Sequence, residues 1–219
     1  MRKVVFLASG NGGNLKFFYL ALRKNLISNM DLFVIADREC GSINFARKFF
    51  LNNYAIRYSR TDTKELNDIL DTIEPDIIVT NWHKIIDELT VKKYAGKLIN
   101  LHYSLLPAFA GLIGVDPIKR AYEQGCQYIG PTCHFVDEDV DTGRIISQAI
   151  FTTDISIDEA VVRMFRAGCL SLLNGVQSIL KEDVIISQSA YSKQLMFSPA
   201  LKFDQGQFTE DFWTELATL

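Results

Sequence analysis

The chain has 219 residues, 48% of them apolar and 22% charged, which suits one domain with a core of its own and a short tail. A net charge of -3 and an isoelectric point near 5.6 give no cationic footprint for nucleic acid or an anionic membrane. No apolar run approaches the roughly 20 residues of a membrane span, and Gly and Asn interrupt the opening MRKVVFLASGNGG too early for a signal peptide.

The expectation is a soluble, cytoplasmic protein that meets a small molecule. Cys40, Cys126, Cys133 and Cys169 contain no C-x-x-C pair and read as reduced, mostly buried thiols.

Along the first half, short β-rich runs alternate with amphipathic stretches, the pattern of a parallel sheet with helical crossovers. KVVFLAS is the first strand. Leu15, Phe18, Leu22 and Leu26 recur at helical spacing through NLKFFYLALRKNL, with Lys16, Arg23 and Lys24 free to face water. MDLFVIAD, AIRYSR and DIIVTNW read as further strands, the last apolar enough to be buried on both faces. GSINFARKFFLNN, TKELNDILDTI capped by Thr63, and IDELTVKKYAG closed by Gly96 read as the helices between and after them. KLINLH is then an inner strand.

Beyond it, Pro107, Gly111 and Gly114 mark an ordered loop, and Pro117 can open a helix through VDPIKRAYEQG. YIGPTCHFVD and GRIISQAIF read as two strands around the acidic turn EDVDTG. A long helix is expected over 157–180, with Asp158 and Glu159 near its start and Lys181 at its end, as the helix dipole favours. The organisation is therefore a Rossmann-like, doubly wound α/β domain with a mostly parallel sheet, spanning 1–182. An aromatic-rich tail, 183–219, is expected to pack on the domain or on a partner subunit in a homodimer.

Three stretches can carry chemistry. SGNGGN, Ser9 to Asn14, lies between a strand and a helix, where glycines let backbone N–H groups approach an anion. It reads as a phosphate cradle, with a ligand-free tight turn as the alternative. It is a poor dinucleotide fingerprint, although Asp37 follows the second strand at a suitable distance.

Asn100 and His102, two apart in a strand, share a face at the carboxyl end of an inner strand, where open parallel sheets bind ligands. A lone strand histidine is more often structural; an asparagine two residues before it favours a reactive site. In PTCHFVDEDVDTG, four acids crowd one turn. The alternate-ligand spacing of a calcium loop is missing, so no metal is expected, and an acid held near His102 could orient it and relay protons.

Together these segments resemble the catalytic domain of the folate-dependent formyltransferases, over roughly residues 3–180. The resemblance rests on Asn100-x-His102, then Ser104 to Pro107, then His134 to Val136 with Asp141 and Gly143 behind. It implies the formyltransferase fold, with Asn100, His102 and Asp141 as the catalytic three and Thr132, His134 and Ser104 as supporting residues. It implies 10-formyltetrahydrofolate as co-substrate, held beside Trp82, His83 and Ile85 and by the loop carrying Val136, Asp137, Val140 and Gly143. Formyl passes to a primary amine through a tetrahedral intermediate, with Asn100 and a protonated His102 suited to its oxygen. Gly12, Gly13 and Asn14 would take the acceptor's phosphate.

The acceptor reading is open. The loop SGNGGN resembles that of the glycinamide ribonucleotide enzymes. Yet FRAGC, Phe165 to Cys169, lacks the carboxylate those enzymes carry there, and GLIGVDPIKRA is closer to the tRNA and sugar enzymes. Methionyl-tRNA is disfavoured by the charge and a formyl-folate hydrolase by the lack of its regulatory domain. An amine on a sugar nucleotide is favoured, with phosphoribosylglycinamide formyltransferase as the alternative. From other classes, a non-catalytic nucleotide-binding domain would predict loss of one of the three residues, and a dehydrogenase a better glycine fingerprint.

Overall fold

The computed structural model describes residues 1–181 and 195–219. The expected boundary at 182–183 and residues 183–194 of the expected tail lie outside the described residues. The chain divides into two compact units: 1–99 with 207–219, and 100–206.

In the first unit, β1 (Arg2–Ala8) pairs in parallel with β2 (Met30–Ala36) and with β4 (Ile77–Asn81), and β2 with β3 (Asn52–Ala55), giving the order β3-β2-β1-β4. The crossovers are α1 (Gly13–Arg23), α2 (Gly41–Lys48) and α3 (Lys64–Ile73), and α4 (Glu88–Lys93) leads into β5 (Leu98–His102). β1 is buried from Val4 onward, as an inner strand between two others must be.

Its α1 neighbour turns Phe17 and Phe18 inward, and Phe18 meets Phe6 edge-on at 5.4 Å between centroids. The loops 9–12, 37–40 and 82–87 leave the carboxyl ends of β1, β2 and β4. α7 (Glu210–Thr218) returns to this unit, where Phe208, Phe212 and Trp213 surround Phe17.

The last residues of β5 belong to the second unit, followed by α5 (Asp116–Glu123), β6 (Tyr128–Ile129), β7 (Thr132–Phe135), β8 (Ile145–Thr152), α6 (Ile157–Leu180) and β9 (Met196–Ser198). Here β8 pairs antiparallel with β6, β7 and β9. α6 begins at Ser156, whose hydroxyl accepts from the Glu159 N–H, and is buried on all sides from Ala167 to Gln177. Its buried Asn174 is satisfied by the Pro199 carbonyl at 3.1 Å and the Lys202 N–H at 3.2 Å.

Several boundaries differ from the sequence reading. The third strand is Asn52–Ala55 rather than AIRYSR, because its partners on β2, Phe33 to Ala36, fix its register. Thr63 sits at the N-cap of α3 without a capping hydrogen bond. α4 ends at Lys93 with Tyr94 as its C-cap, so Gly96 lies in the link to β5 instead of closing the helix. YIGPTCHFVD forms two strands, because Pro131 accepts from Ala149 N–H but has no N–H to return.

Cys133 and Cys169 are buried and Cys40 and Cys126 half-buried, all four as thiols rather than disulfides. Among the described residues no helix is long and apolar enough to cross a membrane.

Candidate active site

β5 ends in Asn100-Leu101-His102, and its pleat sends Asn100 and His102 to one side. The turn after β7 brings Asp141 to both. Its carboxylate, with only 7% of the side chain exposed, sets one oxygen 3.2 Å from His102 Nδ1 and the other 3.4 Å from Asn100 Nδ2 and 3.5 Å from His134 Nε2. The Gly111 N–H donates to Asp141 at 2.8 Å, so the loop after Pro107 also holds the acid.

Asp141 has φ +59°, a left-handed conformation that costs a non-glycine residue on the order of 1–3 kcal/mol and persists where its surroundings hold it. Thr142 Oγ1 donates to Asp137 at 2.6 Å and closes the acidic turn. Gly143 is required next to it, because a Cβ there would overlap the Phe135 carbonyl oxygen.

Both ring nitrogens of His102 face acceptors: Nδ1 the Asp141 carboxylate and Nε2 the Phe109 carbonyl at 3.1 Å. Burial lowers the His102 pKa from its ordinary 6.5 and outweighs the opposing pull of Asp141 and the Phe109 carbonyl. The free ring is therefore mostly neutral at pH 7, a point the sequence leaves open. A neutral ring has one N–H for two acceptors, and taking up a proton satisfies both.

Burial also raises Asp141, but the His134 hydrogen bond, the Gly111 N–H and the two imidazoles together bring it below 3.8, so the acid is a carboxylate at neutral pH. His134 is oriented by its neighbours. Phe135 carbonyl can only accept, so Nδ1, 2.8 Å away, carries hydrogen, and Nε2 lies 3.4 Å from Asn100 Nδ2.

Thr132 and Ser104 stand behind this group. Thr132 Oγ1 donates to the Ser104 carbonyl at 2.6 Å and accepts from Leu106 N–H at 3.1 Å and from Gln148 Nε2 at 2.9 Å. Ser104 Oγ donates in turn to the Ala108 carbonyl. Of the residues expected on the acidic loop, Asp137 is exposed and engaged by Thr142, Val136 is half-buried, Gly143 is buried, and Val140 is 50% exposed. Leu112 and Ile113 also expose apolar surface in the loop that carries Gly111.

In the first unit, Gly12 precedes α1 with φ +69°, and a Cβ there would stand 2.6 Å from Ser42 Oγ. Gly13 and Asn14 open the helix, where N–H groups have no intrahelical partner. Trp82 is buried and packs against Tyr58, ring centroids 4.8 Å apart and planes tilted by 34°, while His83 and Ile85 are exposed.

Two contributors escaped the sequence reading, the Phe109 carbonyl and the Gly111 N–H. Backbone groups have no residue-type signature; the only signal was the glycine content of the loop. Gln148, which completes the Thr132 contacts, had none.

The formyl transferase family model matches residues 2–168. The chain is 34% identical over 179 residues to a phosphoribosylglycinamide formyltransferase of Haemophilus influenzae, covering 74% of this chain and 80% of that one. It is 31% identical over 195 residues to a chloroplastic phosphoribosylglycinamide formyltransferase of Vigna unguiculata, covering 84% of this chain but 62% of the relative's length. The fold matches glycinamide ribonucleotide transformylase 1 of Symbiobacterium toebii with a TM-score of 0.74 at 24% identity, over 86% of this chain and 92% of that one.

Proposed function

The chain belongs to the formyl transferase family, and we propose that it moves a formyl group from 10-formyltetrahydrofolate to the primary amine of glycinamide ribonucleotide. The observation that carries the reaction is the close grouping of Asn100, His102 and Asp141, with a carboxylate 3.2 Å from a histidine whose pKa burial has lowered. The donor supplies an activated formyl carbon and a nitrogen able to leave.

The His102–Asp141 pair, with one ring N–H for two acceptors when free, takes up the proton of the attacking amine through water, and the Asp141 carboxylate and the Phe109 carbonyl then stabilise the charged ring. Asn100 Nδ2 donates to the formyl oxygen as it becomes negative. The new bond joins the amine nitrogen to the formyl carbon, the bond from that carbon to the folate nitrogen breaks, and His102 passes the proton to that nitrogen. Val140, Leu112 and Ile113 of the second unit offer exposed apolar surface to the pterin. A cytoplasmic location and a phosphorylated acceptor held by Gly12, Gly13 and Asn14 belong to the same reading.

The names of the relatives support glycinamide ribonucleotide over the amino sugar favoured by the sequence. The amino sugar stays as the second reading on one observation: Phe165 to Cys169 of α6 offers no carboxylate. The test is release of tetrahydrofolate from 10-formyltetrahydrofolate with glycinamide ribonucleotide, with nucleotide-linked amino sugars, and with water alone. Turnover with glycinamide ribonucleotide is expected; turnover with an amino sugar alone would move the assignment, and release into water alone would make the chain a hydrolase.

A further inference from the structure

We propose that Ser9 is a positioning residue that sets two binding segments together, the 9–14 loop and residues 82–86. The inference rests on reading the first as the acceptor-phosphate site and the second as the wall for the formyl donor. Ser9 ends the buried run of β1 and is 9% exposed. Its Oγ accepts the His83 N–H at 3.1 Å, and its hydroxyl hydrogen bonds to Asp37.

A serine has one hydrogen to give, and a carboxylate can only accept, so Asp37 dictates where the hydroxyl points and leaves a lone pair for His83. Asp37 cannot turn away. Its side chain is 1% exposed and is gripped at both oxygens by Arg38, Nε at 3.1 Å and Nη2 at 2.6 Å. Burying a carboxylate is costly unless it is paired and hydrogen-bonded, and this one meets both conditions at the point where β2 exits.

The two segments have further anchors that leave Ser9 as the adjustable joint. On the loop, the Gly10 carbonyl accepts from the Ser42 N–H at 2.9 Å and from Ser42 Oγ at 2.7 Å, while the Asn14 amide reaches Asn81 at 3.4 Å. On the other segment, Tyr58 packs its ring at a tilt against Trp82, donates to the Ile85 carbonyl at 3.1 Å and accepts the Asp87 N–H at 2.9 Å. Loop and wall therefore share one hydroxyl, and removing it frees both at once.

The experiment compares wild type with Ser9→Ala and Ser9→Thr in steady-state turnover and, separately, in binding. Ser9→Ala is expected to raise KM for both glycinamide ribonucleotide and 10-formyltetrahydrofolate about tenfold, with a smaller effect on kcat; Ser9→Thr, which keeps the hydroxyl, should recover both. A rise in one KM alone, or no recovery in Ser9→Thr, would overturn the shared-joint role.

Binding is read by Trp82 fluorescence in a Trp213→Phe background, with inorganic phosphate and folic acid as probes. Ser9→Ala should weaken both, and unchanged affinities for both would sink the inference even in a protein that turns over. Weakened binding of both probes in a protein that turns over no acceptor would instead remove the proposed reaction and leave the joint standing. If Ser9→Ala fails to fold, Asp37→Asn, which keeps an acceptor for the Ser9 hydroxyl but loosens Arg38, should raise both KM values together; a change in only one would count against the proposal.

Discussion

At the scale of the residue, Asp141 decides how the site works, because its two oxygens serve different partners. One oxygen faces His102 and receives the Gly111 N–H; the other faces Asn100 and His134. Asn100→Ala, His102→Ala and Asp141→Asn should each lower kcat by about a hundredfold or more while folate binding is largely kept, since each removes an interaction that strengthens only as charge develops. Near-normal turnover in all three would place the chemistry elsewhere.

The lowered His102 pKa also makes a stability statement. Between its folded value and the ordinary 6.5, the unfolded chain binds the proton that the folded chain does not, so stability rises with pH across that window and is lost as pH falls through it. Asp141, also lowered, acts in the same direction below 3.8. Urea titrations from pH 7.5 down to 5 should show this loss, and His102→Gln should flatten the profile over that interval. An unchanged slope in the variant would remove His102 as its source.

At the scale of the element, the site depends on how β7 is tied to its neighbours within the second unit. Thr132 spends its single hydrogen on the Ser104 carbonyl and both lone pairs on Leu106 and Gln148. Thr132→Val keeps the shape and removes the partner of two buried backbone groups and of the half-buried Gln148 amide, at about 1–3 kcal/mol for each buried group left unsatisfied. We expect a lower denaturation midpoint together with lower turnover, because the loop after β5 carries the Phe109 carbonyl and the Gly111 N–H; a stability loss with full kcat would separate Thr132 from the site.

The same elements show what the sequence made legible. The helix expected over roughly 157–180 was readable, because early acids, Lys181 at its end and a long apolar run agree. β3 was not, because pairing with β2 outweighs the apolar alternation of AIRYSR. Asn100 and His102 follow from a period of two, whereas Asp141 was one of four acids in a turn. Only the resemblance singled it out, since contacts across 41 residues leave no local pattern. The charge of the free His102 was not legible for the same reason: a neighbouring acid is visible in sequence, and the depth of burial is not.

At the scale of the whole molecule, the last helix completes the unit in which the chain begins. Phe17 of α1 meets Phe208 at 5.3 Å, Phe212 at 5.6 Å and Trp213 at 5.7 Å, and all four rings are buried. The aromatic tail that suggested a dimer thus spends these rings within the chain. The Lys24–Glu215 ion pair between the same helices is exposed on both sides and adds little.

Phe212, 2% exposed, is therefore the residue whose loss should be felt. Phe212→Ala leaves a ring-sized cavity beside Phe17, at about 3–5 kcal/mol. For a chain of this length that corresponds to a fall in Tm of roughly 6–20 °C, at about 2–4 °C per kcal/mol. Phe212→Leu, which refills most of the volume, should recover more than half of the loss in chemical denaturation. A loss below about 1 kcal/mol in Phe212→Ala would mean that α7 docks without stabilising the unit, and the chain would then fold on the apolar contacts of β1, α1 and their neighbours alone.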